Sequence, residues 1–111
     1  MDNKSKKLLF DMFSSIENIE NYVGVDKKFS EYESNPMLQD AVERNIEIIG
    51  EAMSKLLKLE PQIEISNSRR IVDAHNKIIH GYDEVENVQV WGIIVNSLPV
   101  LKKEIEIYLK D

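Results

Sequence analysis

The residues best suited to chemistry in this chain lie within eight positions, His75-Asn76-Lys77-Ile78-Ile79-His80-Gly81-Tyr82, which hold both histidines. Histidine is the side chain whose ordinary pKa, about 6.5, suits proton transfer near neutral pH. On an ideal helix, advancing roughly 100° per residue, Ile71, Ala74, His75, Ile78 and Ile79 share one arc. Asn76 and His80, four residues apart, share a different side. His75 therefore turns with the apolar face, while Asn76 and His80 turn together toward a cleft. Gly81 is placed to break the helix and let Tyr82 swing back toward His80. Each residue also has a purely structural reading. His75 would be a hydrogen-bonded core histidine, and His80 a helix-end cation favoured by the C-terminal dipole. Tyr82 would be an aromatic packed on Trp91 or Val88.

Other chemistries find less support. The two histidines are five residues apart and do not share a helix face, unlike the i,i+4 pairs of zinc proteases. Asp83 could add an oxygen, but hydrolytic metal sites generally need three good protein ligands, so no metal site is expected. No cysteine is present, no serine sits in a nucleophile elbow, and no glycine-rich phosphate loop occurs. Arg44, Glu47 and Glu51 fall on one helix face as a row of ion-pairing charges.

These side chains must be positioned by helices. Leu8, Leu9, Met12, Phe13, Ile16 and Ile19 recur at steps of three and four, predicting a helix from about Lys4 to Tyr22 that Gly24 stops. Asn35-Pro36 is a cap followed by proline at the first helical position. From there Leu38, Val42, Asn45, Ile49, Ala52, Leu56 and Leu59 mark a second helix, ended at Glu60-Pro61. Ala41, Ile46, Ile48, Met53 and Leu57 widen its apolar surface, so it is central. Ser66 or Asn67 caps a third helix to about Ile79. Val88 to Leu109 is helical again, with an interruption expected at Pro99. No segment shows strand alternation with hairpin turns.

The fold class is thus all-α, a bundle of four or five up-and-down helices in one domain over residues 1–111. The chain is 42% hydrophobic and 31% charged with four glycines and three prolines, which suits a packed core over disorder. No apolar run reaches the roughly 20 residues of a membrane span, and no signal peptide is evident. With the absence of cysteine, the expected compartment is the cytoplasm. A formal charge of −6 disfavours a nucleic-acid binder with a basic face. A basic pocket can still be local, and the small clusters Lys27-Lys28, Arg69-Arg70 and Lys102-Lys103 are the cations available.

Two stretches carry a resemblance. Ala41-Val42-Glu43-Arg44-Asn45-Ile46-Glu47-Ile48-Ile49-Gly50-Glu51-Ala52 and Asn76-Lys77-Ile78-Ile79-His80-Gly81-Tyr82-Asp83, followed by Val90-Trp91 and Leu98-Pro99, resemble the HepT-like family of HEPN-domain proteins. The likeness covers nearly the whole chain. It implies a HEPN-type bundle forming a two-fold homodimer, with the motif segments of two chains lining one cleft. It also implies metal-independent RNA cleavage without a cofactor, and no DNA or membrane partner. The expected antagonist is a minimal nucleotidyltransferase antitoxin that adenylylates the tyrosine matching Tyr82. The family signature is Arg, four to six residues, then His-x-Tyr. His80-Gly81-Tyr82 matches its second half, but the Arg position is His75, and Arg69 and Arg70 lie outside the window. The resemblance makes His80 the acid/base group, Asn76 an orienting group and His75 the occupant of the Arg position. An imidazole carries no permanent charge and contacts phosphate less well than guanidinium. A catalytically weakened dimer that binds the nucleotidyltransferase, and a plain helical interaction domain, are the alternatives.

Overall fold

The computed structural model describes residues 1–80 and 86–110. In chain order these form α1 (Asn3–Val23), α2 (Phe29–Glu33), α3 (Pro36–Leu59), α4 (Ser68–His80), α5 (Asn87–Gly92), a π-helical turn (Ile93–Ser97) and α6 (Leu98–Lys110). No strand occurs among the described residues. The chain is an all-α bundle, as its periodicity predicts.

Local chemistry fixes the helix ends. Asp2 caps α1, its Oδ1 accepting from the Ser5 N–H at 2.8 Å. That bond holds the Asp2 carboxyl below its ordinary range. Gly24 closes the helix at φ 76, a backbone angle that glycine adopts readily. Asn35 caps α3 through Leu38 N–H at 3.1 Å, with Pro36 at the first position, as the sequence implies. Glu60 terminates it, and the Glu60 carboxylate accepts from the buried Ser5 hydroxyl at 2.9 Å. Asn67 precedes α4, its carbonyl accepting from Ile71 N–H at 3.1 Å.

α3 is the central helix, packing on α1 and α4 over its length and on α2 near its start. Leu9, Met12, Ile16 and Ile19 of α1 meet Val42, Ile46, Ile49, Met53 and Leu56 of α3 in a fully buried layer. Leu101 and Ile105 of α6 complete it. Buried among these apolar residues, Asn45 is satisfied twice. Its side chain accepts from Asn18 at 3.2 Å and donates to the Ala41 carbonyl at 2.9 Å. A polar group desolvated without such partners would cost about 1–3 kcal/mol.

Two features depart from the sequence reading. The short helix α2 was not evident; it sets Phe29 and Tyr32 against Trp91, with ring centroids 5.8 and 5.5 Å apart. The interruption expected at Pro99 takes the form of the π-helical turn one step earlier. There Leu98 N–H bonds to the Ile93 carbonyl, five residues back. Proline cannot donate and its ring crowds the carbonyl four residues before it, so widening this turn lets the chain remain helical through Pro99.

Candidate functional site

α4 has a sharply divided surface. Ile71 is buried against the core, and Val72, Ala74 and Ile78 pack at its edge. Asp73, Asn76 and Lys77 are exposed. Ile79 is the exception to the inward arc expected for it. It lies half exposed, one residue from the end of α4.

His75 is half-buried and faces α3, consistent with its place on the apolar arc. Its Nδ1 lies 2.9 Å from the Glu47 carbonyl oxygen. A carbonyl oxygen can only accept, so Nδ1 carries the proton and Nε2 is the ring nitrogen left to meet a substrate. The approach is possible because α3 has Gly50 at this level. A Cβ built on Gly50 would lie 2.1 Å from the His75 Cβ and 2.6 Å from its Cγ. Glycine in mid-helix is unfavourable by about 0.8–1.0 kcal/mol relative to alanine, and here that position admits a neighbouring helix.

Asn76 is exposed to solvent. The His80 side chain lies outside the described residues, and with it the expectation that the two turn together toward a cleft. His80 is the last residue of α4, which places its backbone at the helix end where the spacing put it. Gly81, Tyr82 and Asp83 lie outside the described residues, and with them the expectation that Tyr82 turns toward His80. Trp91, the ring on which a structural Tyr82 would rest, is in contact with Phe29 and Tyr32.

The charged row on α3 forms short-range pairs, Arg44 with Glu47 at 3.1 Å and Glu51 with Lys55 at 3.2 Å. Such exposed pairs contribute little to stability. Nearby, partial burial and then the neighbouring Asp40 and Glu47 carboxylates raise the Glu43 carboxyl above its ordinary range. The N-terminal half of α3 is therefore rich in carboxylates.

The face of α4 turned to α5 is cationic. Arg69, Arg70, Asp73 and Lys77 of α4 face Gln89 and Ile93 across a cleft of about 500 Å³. This basic cleft was not part of the candidate site read from sequence. Its signal was present in the spacing of Arg70, Ala74 and Lys77, which share a helix face. Among the described residues no three His, Asp or Glu side chains gather to hold a metal ion, and no helix is long and apolar enough to cross a membrane.

Comparison with known proteins agrees with the family resemblance. A family model for HepT-like ribonucleases matches residues 12–107. A protein of Methanocaldococcus jannaschii provisionally named an RNase is 31% identical over 107 residues, covering 96% of this chain and 91% of its own. A protein of Thermococcus cleftensis provisionally named ribonuclease HepT is 31% identical over 110 residues, 96% of each chain. One from Caldanaerobacter subterraneus, also provisionally named an RNase, is 30% identical over 92 residues, covering 79% of this chain and 78% of its own. No solved structure matches the chain significantly. With matches of this extent over an all-α bundle, the chain belongs to the HepT-like ribonuclease family.

Proposed function

We propose that this protein is a metal-independent endoribonuclease and the toxin of a toxin–antitoxin pair, active as a symmetric dimer in the cytoplasm. The observation that carries this reading is family membership together with His80 as the last residue of α4, followed in sequence by Gly81-Tyr82. In the reaction, His80 removes the proton from a ribose 2′-hydroxyl as that oxygen attacks the adjacent phosphorus. The P–O5′ bond breaks, leaving a 2′,3′-cyclic phosphate; the departing 5′ oxygen takes a proton from water, and His80 returns the proton it gained to solvent. Asn76 orients the substrate, and His75, in its protonated form, donates its Nε2–H to a phosphate oxygen from the Arg position. The exposed Ile79 beside the motif favours burial against a second copy, since closed two-fold contacts are the commonest way to cover such a surface. The partner is a minimal nucleotidyltransferase that transfers AMP to Tyr82. The added bulk and negative charge beside His80 exclude RNA.

The test is cleavage of a labelled RNA by purified protein with a chelator present. Wild type should cut, and His80→Ala should not, while urea melts of the two differ by about 0.5 kcal/mol or less, as for an ordinary surface change. Equal cleavage by the two proteins would remove His80 from the mechanism.

One observation favours a second reading. The Arg position is occupied by a histidine whose ring is bonded to the Glu47 carbonyl, as in a structural clamp. On that reading the dimer binds the nucleotidyltransferase but has lost catalysis, and wild type leaves RNA intact.

A further inference from the structure

A permanent positive charge is missing from position 75, yet three cations collect on the face of α4 that looks toward α5. Arg69, Arg70 and Lys77 line the cleft with one carboxylate, Asp73, in a chain whose formal charge is −6. Among the described residues none of the three takes part in a salt bridge; the cations that do are Lys7, Arg44, Lys55 and Lys102. Their charges are therefore not neutralised by a described partner.

The position of Arg70 is shaped by its neighbour. A Cβ added to Gly92 would come within 3.2 Å of a guanidinium nitrogen of Arg70, tighter than ordinary contact. Glycine at that point lets the guanidinium lie close over the end of α5, on the cleft. Gln89, one turn earlier on α5, adds an amide that can donate and accept. Beneath them Val90 is buried and the floor is apolar.

From these features we infer that the α4–α5 cleft binds the phosphodiester backbone of single-stranded RNA, with Arg70 and Lys77 as the main phosphate contacts. This deepens the ribonuclease reading and rests on it. The argument for a polymer comes from spacing. Arg70 and Lys77 are seven residues apart, which the helical rise converts to about 10 Å along α4. That spacing lets the two side chains engage different phosphates of one strand, which carries a charge on every nucleotide. The volume suits part of a strand, since ligand clefts span roughly 300–1,000 Å³. The direction of approach follows from electrostatics. The cleft carries three cations against the single carboxylate of Asp73, so its local potential favours an anion. Lys77 also stands one helical turn before His80, so a strand lying along the cleft runs toward the proposed catalytic end of α4.

Binding can be measured without cleavage. A fluorescent single-stranded 2′-O-methyl RNA lacks the attacking hydroxyl, and its anisotropy reports association alone. Arg70→Gln and Lys77→Gln should each weaken binding by a similar factor for any sequence, and each should lower the log–log salt slope by about 0.7. The double variant should lose about tenfold or more in affinity, while Arg70→Lys keeps most of it. Lys55→Gln, a charge removed from the exposed face of α3, should leave binding unchanged. A folded double variant, checked by circular dichroism, with wild-type affinity and salt slope would overturn the proposal, as would a wild type that fails to bind the oligonucleotide. If wild type cuts no RNA but the charge variants lose oligonucleotide binding, the ribonuclease reading falls and the cleft stands.

Discussion

Replacing Gly50 with alanine should destabilise this protein, although the same change in an exposed helix stabilises. Alanine is favoured over glycine by about 0.8–1.0 kcal/mol in a helix interior, so without tertiary contacts the melting temperature would rise. Here the new methyl would lie 2.1 Å from the His75 Cβ, more than an ångström inside ordinary carbon–carbon contact. A Cβ is fixed by its backbone, so no rotamer of His75 relieves the clash and α3 must move away from α4. Overpacking of this kind costs about 1–3 kcal/mol. The separation also stretches the 2.9 Å bond from His75 Nδ1 to the Glu47 carbonyl, worth about 0.5–1.5 kcal/mol. Setting the propensity gain against these losses leaves a net destabilisation of about 1–3 kcal/mol, or roughly 4–12 °C in melting temperature for a domain of this size. Scanning calorimetry and urea unfolding would measure it. A double-mutant cycle sharpens the reasoning, because His75→Ala retains the offending Cβ whereas His75→Gly removes it. The coupling to Gly50→Ala should therefore be larger for His75→Gly. A melting temperature for Gly50→Ala equal to or above wild type would refute the close approach of the two helices.

His75→Arg should raise metal-independent RNA cleavage by on the order of 10²–10³, the effect of restoring one fixed charge at a developing anion. It should cost about 1 kcal/mol in a urea melt through the lost carbonyl bond, and a folded variant with unchanged turnover would show that position 75 does not limit the reaction. Tyr82→Phe should abolish AMP-sized mass increments seen on wild type after incubation with a partner nucleotidyltransferase and ATP, and equal labelling of the Phe variant would place modification elsewhere. The hydrogen bond from Lys102 to Glu20, 2.7 Å long and joining α6 to α1, raises the Lys102 pKa above its ordinary 10.5. Its stabilisation is thus complete below pH 10.5 and is lost as pH rises through the folded value. Alkaline unfolding of Lys102→Met should lack that component, and identical pH profiles for the two proteins would rule it out.

The long helices were legible because their signals are local. Steps of three and four in α1 and α3, the Asn35-Pro36 start and the Gly24 stop each follow from neighbours in sequence. α2 was not legible. Five residues are too few to display a period, and the aromatic packing of Phe29 and Tyr32 on Trp91 joins segments about 60 residues apart. The break before Pro99 was visible, but its form as a π-helical turn depends on how Ile93, Ile94 and Ser97 are buried. At the site, the inward aspect of His75 could be read from the helical wheel. Its bond to Glu47 and its contact with Gly50 could not, because they require the pairing of α3 with α4. The basic cleft was missed for the same reason: Arg69-Arg70 looked too far from His80 along the chain, and Gln89 belongs to another helix.

The same contact bears on how much chemistry position 75 can perform. A ring held by a backbone carbonyl at Nδ1 has a set orientation, which would suit donation of Nε2–H to a phosphate from the protonated ring. It also keeps the side chain short and close to α3, whereas guanidinium on a longer stem reaches outward and binds phosphate through two parallel donors. Position 75 therefore supplies direction at the expense of reach and permanent charge. The positive charge that remains along α4 belongs to Arg69, Arg70 and Lys77, which line the cleft toward α5. If RNA is held there, binding energy and acid–base chemistry reside on adjacent faces of one helix. Loss of Arg70 should then appear mainly as weaker substrate binding, and loss of His80 as a slower chemical step. Comparing KM and kcat for Arg70→Gln and His80→Gln would separate the two roles. A fall in kcat alone for Arg70→Gln would instead place that guanidinium on the reacting phosphate.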